Sequence, residues 1–392
     1  MKALARFFPA VAPLLLWGGL AGFLGDGRAL TAGDVVVSPV GPDPLPAGVR
    51  VETFIHPVTM PITLVWGPDG RLYYSDYTHM AIFVHHPDGS PAASIPVPGV
   101  TAAEGSLLGL ALHPDFPSEP WIYIQYVQKA PLRNRIARFR YENGVASDLQ
   151  LLVETELLAA TCINHGGKLG FGPDGALYAA WGDHCRPNLV QDLARPEGKV
   201  LRMDPVTGAG LPDNPFYDGE GPNEDRVWAL GLRNPFGMAF DPATGELWLS
   251  DNGPACGDEI NRIMRGGNYG WPLSGPECDD PGEGYILPLW TWGNTRIVPT
   301  GTAFYQGHTL PYWYGQLFVC SWSTGRLHRL QLDGTRSRIV AETVYDLSPA
   351  GCTLDVVTGP DGNLYTNTRE GAIYRLSSIP MWWPRIQQAF AQ

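Results

Sequence analysis

Short runs in which apolar and aromatic residues alternate with polar ones recur along this chain, and each run is entered through a turn. "GPDGRLYYSD" starts at Gly67, "HPDFPSEPWIYIQY" at His113 and "GPDGALYAAWGD" at Gly172. "DPATGELWLSDNG" starts at Asp241, "YGQLFVCSWSTGRLHRL" at Tyr314 and "GPDGNLYTNTREGAIYRL" at Gly359. Alternation with a period of two is the signal of a half-buried strand. The turns have a chemistry of their own, because proline pre-sets φ and Asp-Gly closes a tight reversal. Outside the N-terminus no long stretch carries apolar residues at helical spacing.

The six phrases stand roughly 45 to 75 residues apart, which suits propeller blades of four strands with loop insertions. A blade cannot bury both of its faces alone, so such repeats close into a ring. The pattern therefore predicts an all-β fold: one six-bladed β-propeller of four-stranded antiparallel blades over residues 40–378. Residues 379–392, "IPMWWPRIQQAFAQ", fall outside the pattern as a C-terminal tail. Residues 1–32 also stand apart. Lys2 and Arg6 precede an apolar run from Phe7 to Leu24, and small residues follow. This is the layout of a signal peptide or an N-terminal anchor, and it predicts export. Pro9 and Pro13 interrupt the run and favour cleavage.

Composition agrees with a turn-rich β protein: 47 Gly and 37 Pro, with 13 Trp and 16 Tyr. A net charge of −12 with no basic run argues against nucleic acid and against an anionic membrane surface as partners. The six cysteines are Cys162, Cys185, Cys256, Cys278, Cys320 and Cys352. They form no CxxC pair, which disfavours a zinc site, and their even number permits disulfides in an exported chain. Cys162 and Cys185 flank one glycine-rich segment, Cys256 and Cys278 another.

Four segments break the repeat. In Asn164-His165-Gly166-Gly167-Lys168, glycines beside an imidazole allow a ligand close to the backbone, and a neutral imidazole can accept a proton. A histidine that only stabilises a turn is the alternative. "LGLRNPFG" contains Arg233 and Asn234, and a guanidinium suits oxyanions as well as a structural ion pair. "DNGPACGDEINRIMRGGNYGWP" sets Asp251, Asp258 and Glu259 among asparagines and glycines. Such oxygen-rich irregular loops suit Ca²⁺, or are simply solvated acidic loops. In "AEGSLLGLALHPDF", Glu104 precedes an ordinary core strand.

Together, "EGSLLGLALHPDF", "NHGGKLGFGPDGALYAAWGD", "GKVLRMDPVTG", "ALGLRNPFGMAFDPATGELW", "CGDEINRIMRGGNYGWP" and "PTGTAFYQG" resemble the soluble glucose/sorbosone dehydrogenases over residues 45–375. That family comprises exported aldose sugar dehydrogenases that use pyrroloquinoline quinone (PQQ) on a six-bladed propeller. The resemblance implies that His165 is the general base and Arg233 the donor to the quinone oxygen. It implies that Asn234 and Asn164 help hold the cofactor, and that Ca²⁺ is bound through the carbonyls of Gly253 and Pro254. A second, structural Ca²⁺ would draw on Glu259 and backbone oxygens near Tyr269, with Asp258 and Asp279 as further candidates. The substrate would be a sugar, oxidised to its lactone, with electrons passed on to a further acceptor.

The chain departs from the family pattern where a lysine and two arginines bind the PQQ carboxylates. Those positions fall near Ser323, Cys352 and Leu354, none of them basic. Glu104 stands where the family carries a glutamine, and Arg296 and Arg326 are the candidate substitutes. Two other functions stay open: a propeller that binds a ligand or protein without redox chemistry, and a calcium-dependent lactonase.

Overall fold

The computed structural model describes residues 42–155, 163–273 and 283–379. The segment 1–32, Cys162, Cys278, Asp279 and the tail from residue 380 onward lie outside the described residues. Strand β1 (Val49–Ile55) comes first. Blade 1 is β2–β5 (Pro61–Trp66, Leu72–Asp76, Ala81–His85, Pro91–Pro96), and blade 2 is β6–β9 (Gly105–Leu112, Trp121–Lys129, Leu132–Glu142, Val145–Glu154). Blade 3 is β10–β13 (Gly166–Phe171, Leu177–Trp181, Lys199–Met203, Val227–Leu230), and blade 4 is β14–β17 (Pro235–Phe240, Leu247–Asp251, Glu259–Ile263, Trp290–Thr291). Blade 5 is β18–β21 (Pro299–Phe304, Leu317–Ser321, Leu327–Leu332, Ile339–Tyr345). Blade 6 is β22–β24 (Val356–Thr358, Leu364–Thr368, Ala372–Ser378), with β1 as its fourth strand. The fold is the six-bladed propeller of four-stranded antiparallel sheets that the repeat predicts.

Ring closure is made by β1 against β24, paired from Val49 with Ser378 to Ile55 with Ile373. The first strand among the described residues thus completes the last blade. Each of the six repeated phrases falls on the turn between the first and second strand of a blade and on that second strand. The second strands of blades 1, 3, 4, 5 and 6 are buried at every residue, because a neighbouring blade covers each face. Their LY, LW and LF starts supply the inter-blade core, and Trp181, Trp248 and Tyr365 are wholly buried in it.

The GPDG turns owe their shape to three residues acting together. Gly70, Gly175 and Gly362 adopt φ of 74°, 76° and 78°, conformations open to glycine. The turn aspartate then accepts from a tyrosine four residues on: Tyr73 Oη donates to Asp69 at 2.8 Å, Tyr178 Oη to Asp174 at 3.1 Å and Tyr365 Oη to Asp361 at 2.9 Å. The repeated motif is therefore GPDG-x-LY, a turn latched to the strand it starts.

Two features of the innermost strands position the site. First, all six start on the same face, so the loops that precede them and the loops that follow the second strands gather there. The GPDG turns lie on the opposite face. Second, the pairing of first with second strand slips once in each of five blades, between Pro61 and Leu64, Leu107 and Leu110, Gly166 and Leu169, Pro235 and Met238, and Pro299 and Thr302. The shared slip places Met60, Ser106, His165, Asn234 and Val298 at equivalent heights around the axis. Near the slips the inner strands press together. A Cβ on Gly237 would stand 2.1 Å from the Thr300 carbonyl oxygen.

The Cys320–Cys352 disulfide joins blade 5 to the start of blade 6 across 32 residues. Cys185 and Cys256 are also disulfide-bonded. Cys352, one of the positions where the resemblance expects a basic residue, is thus a structural link between blades.

Gly237→Ala is expected to destabilise the fold by about 2 kcal/mol or more through overpacking, read as a lower urea midpoint at unchanged m-value. Cys320→Ser with Cys352→Ser is expected to cost about 3–4 kcal/mol on the chain-entropy estimate for a loop of this length, read the same way.

Candidate active site

His165 is the last residue before β10, and its backbone is fixed from both sides. Its carbonyl oxygen accepts from Gln125 Nε2 at 3.0 Å and from Asn134 Nδ2 at 2.8 Å, both on blade 2. The next amide, Gly166 N, donates to Asn234 Oδ1 of blade 4 at 3.1 Å. Gly166 has φ of 70°, and a Cβ there would stand 2.4 Å from the Ala180 carbonyl oxygen. This is the physical reason for the first glycine after the histidine. The imidazole is half-exposed, while its Nδ1 is buried.

Asp183, at the end of the segment that follows β11, binds the histidine loop to the arginine loop. Its backbone N donates to the Arg233 carbonyl oxygen at 2.7 Å. Its Oδ1 accepts from Asn164 Nδ2 at 3.0 Å and from Cys185 N at 2.8 Å, and its Oδ2 accepts from Trp271 Nε1 at 3.0 Å. Asn164 is buried in this network. Next to it His184 is fully buried, with its ring centroid 5.6 Å from that of His165. Asn134 Nδ2 donates to His184 Nε2 at 3.0 Å, which leaves the proton of the neutral ring on Nδ1. Burial above all, then the neighbouring charges of His165 and Arg186, holds the His184 pKa well below the ordinary imidazole value.

Arg233 and Asn234 are set by Asp251, the last residue of β15. Their backbone amides donate to its two carboxylate oxygens at 2.9 and 2.7 Å. Burial pushes Asp251 up to about 7, against the pull of those two N–H groups. Arg233 Nη1 donates to the carbonyls of Asn252 and Gly253, each at 2.8 Å, and the guanidinium lies 5.7 Å from the Trp271 ring centroid. Its Nε and Nη2 donate to nothing among the described residues. His165, Asn164, Arg233 and Asn234 therefore form one connected group across blades 3 and 4.

Among the described residues, no hydrogen bond links Glu104, Arg296 or Arg326 to this group. Glu104 is exposed, and its carboxylate accepts from Thr101 N and Oγ1 at 3.0 and 2.8 Å, which makes it a turn cap beside β6. Arg296 is exposed on blade 5, and its charge reaches Asp258. Arg326 is half-buried, and its charge reaches Asp346. A further cation, Arg369 on blade 6, lies over the Trp322 ring at 4.6 Å, and its amide donates to Thr353 Oγ1. Arg233, Arg296 and Arg369 thus stand on three successive blades of one face. Arg369 Nε donates to Glu370 Oε1 at 2.7 Å, so the open donors are those of Arg233 and the exposed Arg296, and these suit an oxyanion-rich cofactor such as PQQ.

Several of the described oxygens expected to hold Ca²⁺ already accept hydrogen bonds. The Gly253 carbonyl accepts from Arg233, and Pro254 is exposed. Asp258 accepts from Gly253 N through Oδ1, and from Ile297 N and Val298 N through Oδ2. Glu259 Oε2 accepts from Asn261, and of the carbonyls beside Tyr269, that of Asn268 accepts from Ile286 N at 2.9 Å and that of Gly270 from Leu273 N at 2.6 Å. Asp279 lies outside the described residues. Among the described residues no group of three or more His, Cys, Asp or Glu side chains is placed to hold a metal ion. A cation at Gly253 would also face the Arg233 guanidinium, so these oxygens do not form a calcium cage as they stand.

Asp183, Gln125, Asn134, His184 and Trp271 were not anticipated as site residues. Gln125 carried a signal, as the one amide within the otherwise apolar and aromatic run "WIYIQYV". Asp183 carried a weaker one, standing at the end of a repeat strand like Asp76 and Asp251.

The family model of the glucose/sorbosone dehydrogenases matches residues 58–375. The aldose sugar dehydrogenase YliI of Escherichia coli is 31% identical over 350 residues, which is 83% of this chain and 92% of the relative. Quinoprotein glucose dehydrogenase B of Acinetobacter calcoaceticus is 29% identical, over 80% of this chain and 84% of the relative. The PQQ-bound form of an aldose sugar dehydrogenase from Streptomyces coelicolor superposes with a TM-score of 0.69 at 28% identity, covering 85% of this chain and 99% of that one. With a matched model across the whole ring and relatives aligned along most of their length, the chain belongs to the glucose/sorbosone dehydrogenase family.

Proposed function

We propose that this protein oxidises the anomeric hydroxyl of an aldose sugar to the lactone, with PQQ as its redox cofactor. The observation that carries the reading is the connected group on blades 3 and 4: a half-exposed His165 whose loop is pinned by hydrogen bonds, tied through Asp183 and Asn234 to a partly uncommitted Arg233. The PQQ-bound relative supports the cofactor, and the aldose sugar dehydrogenases among the relatives support the substrate class.

A bound PQQ would supply the acceptor for the hydride of the anomeric carbon, and Arg233 would help hold it. His165 takes the hydroxyl proton, and it does so at Nε2, because Nδ1 is buried while the ring is half-exposed. Arg233 offers its free N–H groups to the negative charge that develops as the hydride moves. Asn234 orients the histidine loop through Gly166 N. Asn164 and Trp271 hold Asp183, which keeps the Arg233 loop against the histidine loop. His184 stays neutral in its buried place, so it adds no positive charge beside the base. No step above depends on Ca²⁺. The segment 1–32 supports export, and an external electron acceptor completes the cycle.

The test is a PQQ titration of the purified chain with and without Ca²⁺, followed by dye reduction over a panel of aldoses. Saturable binding with sugar-dependent turnover is expected. His165→Ala is expected to lose about 10²–10⁴-fold in kcat with PQQ still bound. A folded chain that ignores PQQ would shift the reading to a ligand-binding propeller, and lactone hydrolysis by the calcium-loaded, PQQ-free protein would shift it to a hydrolase.

His184 also gives the fold a pH dependence. Its folded pKa is depressed, so below the ordinary imidazole value the unfolded chain binds more protons than the folded one. The His184 contribution to stability is then present at neutral pH and is lost as pH drops below about 6.5, at up to about 1.4 kcal/mol per unit, while Asp251, pushed up to about 7, acts in the opposite sense over the same range. Urea midpoints of wild type and His184→Gln between pH 7.5 and 5 check this by difference, and the wild type is expected to lose stability relative to the variant as pH falls.

A further inference from the structure

The shared slip of the inner strands defines a second ring of equivalent positions, one residue before the pairing resumes. Its members are Thr63, Gly109, Lys168, Gly237 and Gly301, from blades 1 to 5. In blade 6 the pairing of β22 starts at Val356, which puts Asp355 in the same place. Four of these six residues are small, and the three glycines have no room for more. A Cβ would stand 2.6 Å from the Gly167 carbonyl oxygen at Gly109, 2.1 Å from that of Thr300 at Gly237, and 2.2 Å from Asp355 Oδ1 at Gly301. The two charged side chains belong to blades 3 and 6, which face each other across a six-membered ring. They meet on the axis, with Lys168 Nζ 2.5 Å from Asp355 Oδ2. The same oxygen accepts from Leu64 N of blade 1 at 2.8 Å.

We propose that the Lys168–Asp355 pair is a strut across the central channel, which closes the channel beneath the candidate site and holds the His165–Lys168 loop at its working height. Lys168 and Asp355 are then positioning residues, and the idea rests on the reading of His165 as base. Each residue of that loop has an anchor or an abutment: the His165 carbonyl on blade 2, Gly166 N on blade 4, Gly167 against Gly109, and Lys168 on blade 6. The last of these is the one that crosses the axis. Below the strut opens a cavity of about 550 Å³, lined by apolar residues that include Val65, Leu110, Leu169, Phe171 and Phe240, with Lys168 in its wall. The cavity lies on the side of the GPDG turns, so the strut separates it from the face that carries His165. Asp355 is buried, and its burial opposes its charge, while the Lys168 ammonium and Leu64 N favour it. Removing Lys168 alone leaves that carboxylate without its cation, and removing both partners spares the penalty.

The experiment compares Lys168→Met/Asp355→Asn, Lys168→Arg and wild type, each loaded with PQQ. The double variant is expected to stay folded and to lose about tenfold or more in kcat, with the sugar KM changed less than about threefold. Lys168→Arg, which keeps the cation, is expected to recover most of kcat. Hydrogen exchange in the PQQ-free proteins reads the strut without turnover. Peptides covering 61–66 and 163–171, on different blades, should both exchange faster in the double variant. Wild-type kcat and wild-type exchange in the double variant would overturn the strut. A kcat loss that Lys168→Arg does not recover, or a KM rise that matches the kcat loss, would overturn the positioning role. A wild type without sugar turnover would overturn the dehydrogenase reading, and with it the link to the base, while exchange still tests the strut.

Discussion

Six strands that start on one face and converge on one axis have very little room between them. That constraint shapes most of this molecule. It sets glycine at Gly109, Gly237 and Gly301, where a single methyl group would collide with a neighbouring backbone. It makes the pairing slip at the same height in successive blades, since the inner strand must bend away from its own sheet. It also lifts the residues just before each slip onto one rim. His165 and Asn234 are neighbours because blades 3 and 4 are neighbours and because both occupy the same place in their blades.

Crowding at the axis has an electrostatic consequence. Backbone amides freed from pairing at the slips need acceptors, and buried carboxylates supply them. Asp251 takes the amides of Arg233 and Asn234, Asp258 those of Ile297 and Val298, and Asp355 that of Leu64. Much of the acidity near the site is therefore spent on holding loops. Asp258 looked like a metal ligand in a loop rich in acids and asparagines, yet its oxygens serve backbone N–H groups. The same logic gives Arg233 its place, as its amide is held by one carboxylate while part of its guanidinium stays open.

How much of this was legible depended on the range of the interaction. The blades were legible because their signal is local: a GPDG turn, then alternation, then the same again. The latch from the turn aspartate to the tyrosine four residues on is written in each copy as GPDG-x-LY. Closure of the ring by β1 was not written there, because "VRVETFI" carries no turn motif and its partner β24 lies at the far end of the fold. His165, Arg233 and Asn234 were picked out by resemblance and by the glycines beside the histidine. Their supports were not, because Gln125, Asn134 and Asp183 act through hydrogen bonds to residues 19 to 40 positions away, where no spacing rule applies.

The sequence by itself determined the number of blades, the turn that starts each second strand, and the short list of residues that interrupt the repeat. Each follows from periodicity or from a residue's own backbone preference, and neither needs a distant partner. The tertiary structure alone decided which of those residues meet. It joined His165 to Asn234 and set Glu104 aside as a turn cap. It turned Cys352 into a link between blades, and brought Lys168 to Asp355 across 187 positions of chain. The physical reason is that contact across the axis is fixed by ring closure and the common slip of the inner strands, and no segment read alone contains either.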